Sequence, residues 1–125
     1  MRNFFRNWLP PICWAVGIFY LSSIPNLRSS LPSAWDFIFR KAAHVAEYAV
    51  LAFLAARSLK MTSVKTGALF YPVVFSLCLA YAMADECHQT FVVGRHGSFF
   101  DAGIDGMGIL SGMAMHKAIF RSRQK

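Results

Sequence analysis

The apolar positions of this chain gather into four segments divided by shorter polar stretches. The first runs from about Trp8 to Ile24 and the second from about Ala42 to Ala56. The third runs from about Gly67 to Ala84, and the fourth, rich in Gly and Met, from about Ala102 to Phe120. A membrane-spanning helix needs about 20 mainly apolar residues. The first and third segments approach that length; the second and fourth are short or polar by themselves. Both lengthen if their flanks continue the helix. Ser33-Ala34-Trp35-Asp36 and Ser98-Phe99-Phe100-Asp101 each read as a capping box, which puts helix starts near 34 and 99. The predicted helices then cover about 8–25, 34–59, 67–89 and 99–120. The expected fold is all-α, a polytopic membrane protein with four transmembrane helices packed as a small bundle over one domain, 1–125. Arg2 and Arg6 ahead of the first segment also fit a signal peptide. The length of that segment, the absence of an A-x-A site after it and the three segments that follow favour a retained helix.

Composition agrees. Of 125 residues, 56% are hydrophobic and 15% charged, against roughly 25% charged in soluble domains. No repeat, low-complexity tract or long linker interrupts the chain. The net charge of +7 does not read as nucleic-acid binding, because Lys and Arg flank the apolar runs and do not alternate with exposed aromatics. Cys13, Cys78 and Cys87 form no CxxC pair, so neither a disulfide framework nor a zinc cluster is indicated. With four helices, the N-terminus, the loop between helices two and three, and the C-terminus share a side. That side holds Arg2, Arg6, Arg57, Lys60, Lys65, Lys117, Arg121, Arg123 and Lys125; the other holds Arg28, Arg40, Lys41 and Arg95. The nine-to-four split places both termini in the cytoplasm of an inner-membrane protein.

On that topology all six acids, Asp36, Glu47, Asp85, Glu86, Asp101 and Asp105, fall at or near the non-cytoplasmic ends of helices two, three and four. A carboxylate in hydrocarbon costs a few kcal/mol and usually faces a partner or a wet cavity. Lys41, His44 and Tyr48 share one face of helix two, with Glu47 about 60° away from His44. Asp85 and Gln89 share a face of helix three, with Glu86 beside them. Asp101, Asp105, Gly108 and Gly112 make one stripe on helix four at i, i+4, i+7 and i+11, so the stripe that turns the acids inward is also a packing stripe. Arg95, in the loop Val93-Gly94-Arg95-His96-Gly97, can fold back over the cluster.

Plainer readings apply to several of these. Asp36 reads as a helix cap, and Asp101 equally as a cap. Lys41 and Arg95 can be snorkelling anchors, Tyr48 an interfacial aromatic, His96 a solvated loop residue, and Cys87 and His88 bystanders. His44 and Glu47 fit such readings least, because they lie inside an apolar helix. The expected cluster is His44, Glu47, Asp85, Glu86 and Arg95, with Lys41, Tyr48, Gln89, Asp101 and Asp105 as ligand-binding residues around it. A purely structural network of His44, Glu47, Asp85 and Arg95 is the competing reading.

At these residues the chain resembles the VanZ-like membrane proteins. Ser22-Ser23-Ile24-Pro25 is similar to the family's SSxP end of helix one. Lys41 to Leu51 is similar to its KxxHxxEYxxL block, and Asp85 through Arg95 to Asp101 to its DExxQxF…R…D block, with Gly108 as the following glycine. Many relatives carry an amide near Asp105, a departure that bears on any role needing a carboxylate there. The resemblance implies a four-helix membrane protein whose molecular activity is not established; some relatives lower sensitivity to teicoplanin-like lipoglycopeptides, which act outside the cytoplasmic membrane.

Three functions compete. The first is binding or modulation of a cell-envelope component at the outer face, the partner being a membrane lipid such as an anionic envelope lipid or a lipid-linked precursor held by Lys41 and Arg95. The second is an enzyme acting on a phospho- or polyprenyl-lipid, with a His–Glu pair for acid–base work. The third is an ion or proton transporter, disfavoured because no acid lies in the cytoplasmic half. In the first two, carboxylates with His44 can hold a divalent cation; hard oxygen ligands suit magnesium or calcium.

Overall fold

The computed structural model describes residues 2–26, 30–62 and 67–122, so Arg28, Lys65, Arg123 and Lys125 of the charge count lie outside the described residues. Four helices follow one another: α1 (Arg2–Ser22), α2 (Ser33–Met61), α3 (Phe70–Gln89) and α4 (Phe99–Ser122), with a short 3₁₀ turn at Gly67–Leu69 leading into α3. No strand occurs among the described residues.

α1 begins at Arg2 and not near Trp8, and it runs through Pro10 and Pro11. A proline inside a helix removes the donor to the carbonyl four residues earlier. Pro11 therefore leaves the Asn7 carbonyl without its usual intrahelical donor, and Ser58 Oγ of α2 donates to it at 2.7 Å. The helix break is thus converted into an interhelical contact, reinforced by Trp8 Nε1 donating to Thr62 Oγ1 at 3.0 Å.

The capping box expected at Ser33 does not form. α2 starts at Ser33 itself, Pro32 takes the cap position with φ −51° and ψ 145°, and no side chain caps the helix. The proline's fixed φ prepares this start, and the Asp36 amide donates to the Pro32 carbonyl at 3.0 Å. The Asp36 carboxylate instead pairs with Arg40, one turn on, at 3.1 Å. At α4 the expected start holds: the Asp101 amide donates to Ser98 Oγ at 3.1 Å. The reciprocal half of the box comes from another helix. Ser98 N donates to Glu86 Oε2 of α3 at 3.0 Å, which ties the start of α4 to the end of α3.

The helices alternate in direction. Tyr81 of α3 donates to the Ala15 carbonyl at 2.6 Å, and Tyr71, at the start of α3, meets His116 near the end of α4 at 3.2 Å. α2 and α4 therefore run parallel, and theirs is the most extensive helix pair. Its seam explains why. A Cβ added at Gly108 would meet Val45 Cα at 3.0 Å, and one at Gly112 would meet Ala49 Cα at 3.0 Å. Only glycine lets the two backbones approach so closely. Ile18, Leu51, Val74 and Ile109, with Ala52, Ala56 and Ala82, fill the rest of the interior.

The surface is strongly apolar. Phe5, Val16, Tyr20, Leu77 and Met107 are each more than half exposed, whereas Asp85, Glu86, Gln89, Asp105 and His116 are buried. Two helical segments, Ser33–Met61 and Gly67–Gln89, are long and apolar enough to cross a membrane; α1 and α4, among the four expected spans, do not reach that apolarity.

Candidate functional site

α1 and α3 end where α2 and α4 begin, and the acids converge at this end. Asp85, on the last turn of α3, is 3% exposed. Its Oδ2 accepts from Ser22 Oγ at 2.8 Å, Gln89 Nε2 at 3.1 Å and Tyr48 OH at 3.3 Å. One carboxylate oxygen thus draws donors from three helices, the arrangement that offsets its desolvation.

A second set lies across the α2–α4 seam. Lys41 Nζ pairs with Asp101 Oδ1, and one turn deeper His44 Nδ1 lies 3.2 Å from Asp105 Oδ1. The parallel helices keep register, so 41 meets 101, 44 meets 105, and the glycines continue the same stripe. Asp105 is fully buried. Glu86 joins from α3: His44, Glu86 and Asp105 each offer one ligand atom, and those atoms lie within 4.8 Å of one another. Among the described residues, Asp85 Oδ1, Glu86 Oε1 and Asp105 Oδ2 are buried without a hydrogen-bond partner.

Arg95 is oriented differently from expectation. It donates to backbone carbonyls at the end of α1, Leu21 O at 2.7 Å and Ile24 O at 3.3 Å, and forms no ion pair among the described residues. Burial, and then the Arg40 charge, lower its pKa from the ordinary value, while Asp85, Glu47 and Glu86 oppose that shift. The loop that carries it turns at Gly94, whose φ of +77° and packing against the Asn26 side chain exclude a Cβ. Glu47 is half-buried, and its side chain makes no hydrogen bond or ion pair among the described residues. Its backbone carbonyl accepts from Trp14 Nε1 at 2.9 Å, so this edge of α2 faces α1. Glu47 and Arg95 therefore stand beside the network and are not hydrogen-bonded into it. His88 stacks on Phe19 at 4.5 Å and meets Ser23 Oγ at 3.1 Å; Cys87 and His96 are exposed.

Two cavities share Glu86. The first, of about 190 Å³, is lined by Phe37 and by charged or polar residues that include Arg40, Lys41, His44, Glu86, Arg95 and His96, whose stems contribute apolar wall. The second, of about 170 Å³, is lined mainly by apolar ones, among them Met83, Phe99 and Ala102. Exposed Phe91, Phe99 and Phe100 stand on the surrounding loop and helix start.

Sequence reading underweighted two positions. Ser22, from the short SSxP block, donates to Asp85, a contact signalled only by a hydroxyl at the end of an apolar helix. Asp105, set in question by the amides of relatives, is the acid nearest His44. In comparison with known proteins, the family model described as VanZ/LLP1 matches residues 5–121. Neither a curated protein nor a solved structure matches the chain.

Proposed function

The chain belongs to the VanZ/LLP1 family, and from that premise we propose that it is a four-span inner-membrane protein that binds an anionic envelope lipid at the outer face. Both termini lie in the cytoplasm in this reading, and the loop around Arg95 lies outside. The carrying observation is the pair of cavities that meet at Glu86, one walled by Arg40, Lys41 and Arg95 and the other by Met83, Phe99 and Ala102. A polar chamber against an apolar groove fits an amphiphile, with a phosphate-bearing headgroup in the first and an acyl or prenyl chain in the second. The surface supports a membrane setting. Soluble monomers rarely expose apolar patches beyond a few hundred Å², yet large apolar side chains are exposed on all four helices while carboxylates are inside. The nine-to-four distribution of basic residues supports the orientation.

The test is extraction of the protein with its surrounding lipid into polymer-bounded discs, followed by mass spectrometry of the lipids retained. Enrichment of an anionic lipid that is lost in a Lys41→Gln, Arg95→Gln variant of normal yield supports the reading; equal lipid profiles sink it. Orientation is read by impermeant thiol labelling in a background lacking Cys13, Cys78 and Cys87. A cysteine at Ser98 should label in intact cells and one at Ser122 should not.

A further inference from the structure

We propose that His44, Glu86 and Asp105 together bind one divalent transition-metal ion, manganese or zinc, beside the polar cavity. The three residues come from α2, α3 and α4, and their ligand atoms lie within 4.8 Å of one another. Bonds of about 2.0–2.2 Å place ligand atoms roughly 3 Å apart around an ion, so side-chain rotations of modest size close the set.

A cluster of acids alone would not indicate a metal. What does is the pair of oxygens left over. Glu86 Oε1 and Asp105 Oδ2 lack any hydrogen-bond partner among the described residues, on side chains 5% and 0% exposed. Buried carboxylate oxygens are normally satisfied, because desolvation without a donor is costly. The cations nearby are already engaged: Lys41 pairs with Asp101, and Arg95 donates to the carbonyls of Leu21 and Ile24. Two carboxylates facing one imidazole leave negative charge that a divalent ion would balance.

The donor set also narrows the metal. Sequence reading suggested magnesium or calcium on the strength of oxygen ligands. One imidazole with two carboxylates is a mixed set, suited to an ion that accepts both, such as manganese or zinc. Three protein ligands leave coordination positions open, and His44 and Glu86 both line the polar cavity. Resting on the lipid-binding reading, the ion would present those positions to a phosphate oxygen of the headgroup.

The experiment uses the full chain in detergent, stripped with EDTA and titrated with Mn²⁺ or Zn²⁺. Bound Mn²⁺ is read by electron paramagnetic resonance, and both metals by elemental mass spectrometry after gel filtration. The expected result is saturation at one ion per chain. Glu86→Gln and Asp105→Asn should each weaken binding roughly tenfold or more, while His88→Gln, on the same helix as Glu86 but outside the set, should bind as the parent does. Glu86 keeps the assay decisive if Asp105→Asn fails to fold, since the gel-filtration profile reports folding for each variant. Uptake of neither ion overturns the site, as does a folded Glu86→Gln protein with parental affinity or a His88→Gln protein that loses as much. Lipid enrichment that persists in a protein unable to take up either ion overturns the metal and leaves the lipid reading standing.

Discussion

His44 and His116 lie at opposite ends of the same pair of helices, and their surroundings share almost nothing. His44, on α2, faces Asp105 at 3.2 Å, with Glu86 nearby and the polar cavity in front of it. His116, on α4, is 1% exposed and sits among rings, with Phe120, Phe53 and Phe70 at centroid distances of 4.4, 5.8 and 6.0 Å. Its polar contact is Tyr71 OH, 3.2 Å from Nδ1. The stripe that brings Asp105 to His44 continues through Gly108 and Gly112 to His116, so a single packing face serves both ends. The difference teaches that the seam sets position while the residues opposite set chemistry: carboxylates make one end a candidate binding site, and aromatic rings make the other a packed plug.

The largest effect expected is on the seam that the two ends share. Gly112→Leu and Gly108→Leu insert a side chain where Ala49 and Val45 backbone atoms already lie at contact. Overpacking of this kind costs typically about 1–3 kcal/mol, and a clash with backbone belongs at the upper end. Loss of the monodisperse peak in detergent is the expected outcome; normal yield for both variants would leave the seam without its role. The next contrast separates the ends. His44→Phe keeps a ring but removes the nitrogen that meets Asp105 Oδ1, and should cost about 2–3 kcal/mol, the upper scale of a hydrogen bond to a charged group. His116→Phe loses one hydrogen bond, worth about 1 kcal/mol, and keeps the ring packing. Denaturation in detergent that ranks the two equally would erase the distinction between them.

Asp85 offers a finer version of the same contrast. Asp85→Ala strands the donors of Ser22, Tyr48 and Gln89 and should cost about 2 kcal/mol, whereas Asp85→Asn keeps an acceptor oxygen and should cost about half that. Identical unfolding midpoints for the two would show that those hydrogen bonds do not stabilise the end. Smallest of all is Met113→Leu, next to the seam and half-buried against the core. It conserves volume and should shift the midpoint by under about 1.5 kcal/mol.

Much of this arrangement was legible in residue spacing, and the reason is geometric. Asp101, Asp105, Gly108 and Gly112 fall on one helical face whatever the rest of the chain does, and a face holding both acids and glycines has to turn inward in an apolar protein. Capping at Ser98 is equally local. Features that depend on a second helix were harder to read. Ser33 looked like a cap, but Pro32 had already fixed the entry to α2. Arg95 looked like a counter-ion, yet the carbonyls of Leu21 and Ile24 at the end of α1 lie in its reach, and sequence does not announce a carbonyl acceptor. Glu47 sits one residue before Tyr48 and so points about 100° away from it, off the face that carries Lys41, His44 and Tyr48. The number of spans is the least legible feature, since α1 and α4 lack the apolarity that α2 and the segment before Gln89 possess.

The parallel pairing of α2 with α4 also fixes an order of assembly. A ribosome delivers α2 first and its principal neighbour last, with α3 in between. Until Ser98 and the residues after it emerge, Lys41 and His44 have no Asp101 or Asp105 to meet, and Glu86 has no Ser98 amide to accept from. A nascent chain held at α3 is therefore a three-helix intermediate with basic groups uncovered on α2 and Glu86 of α3 without its contacts at Ser98 and Asp105.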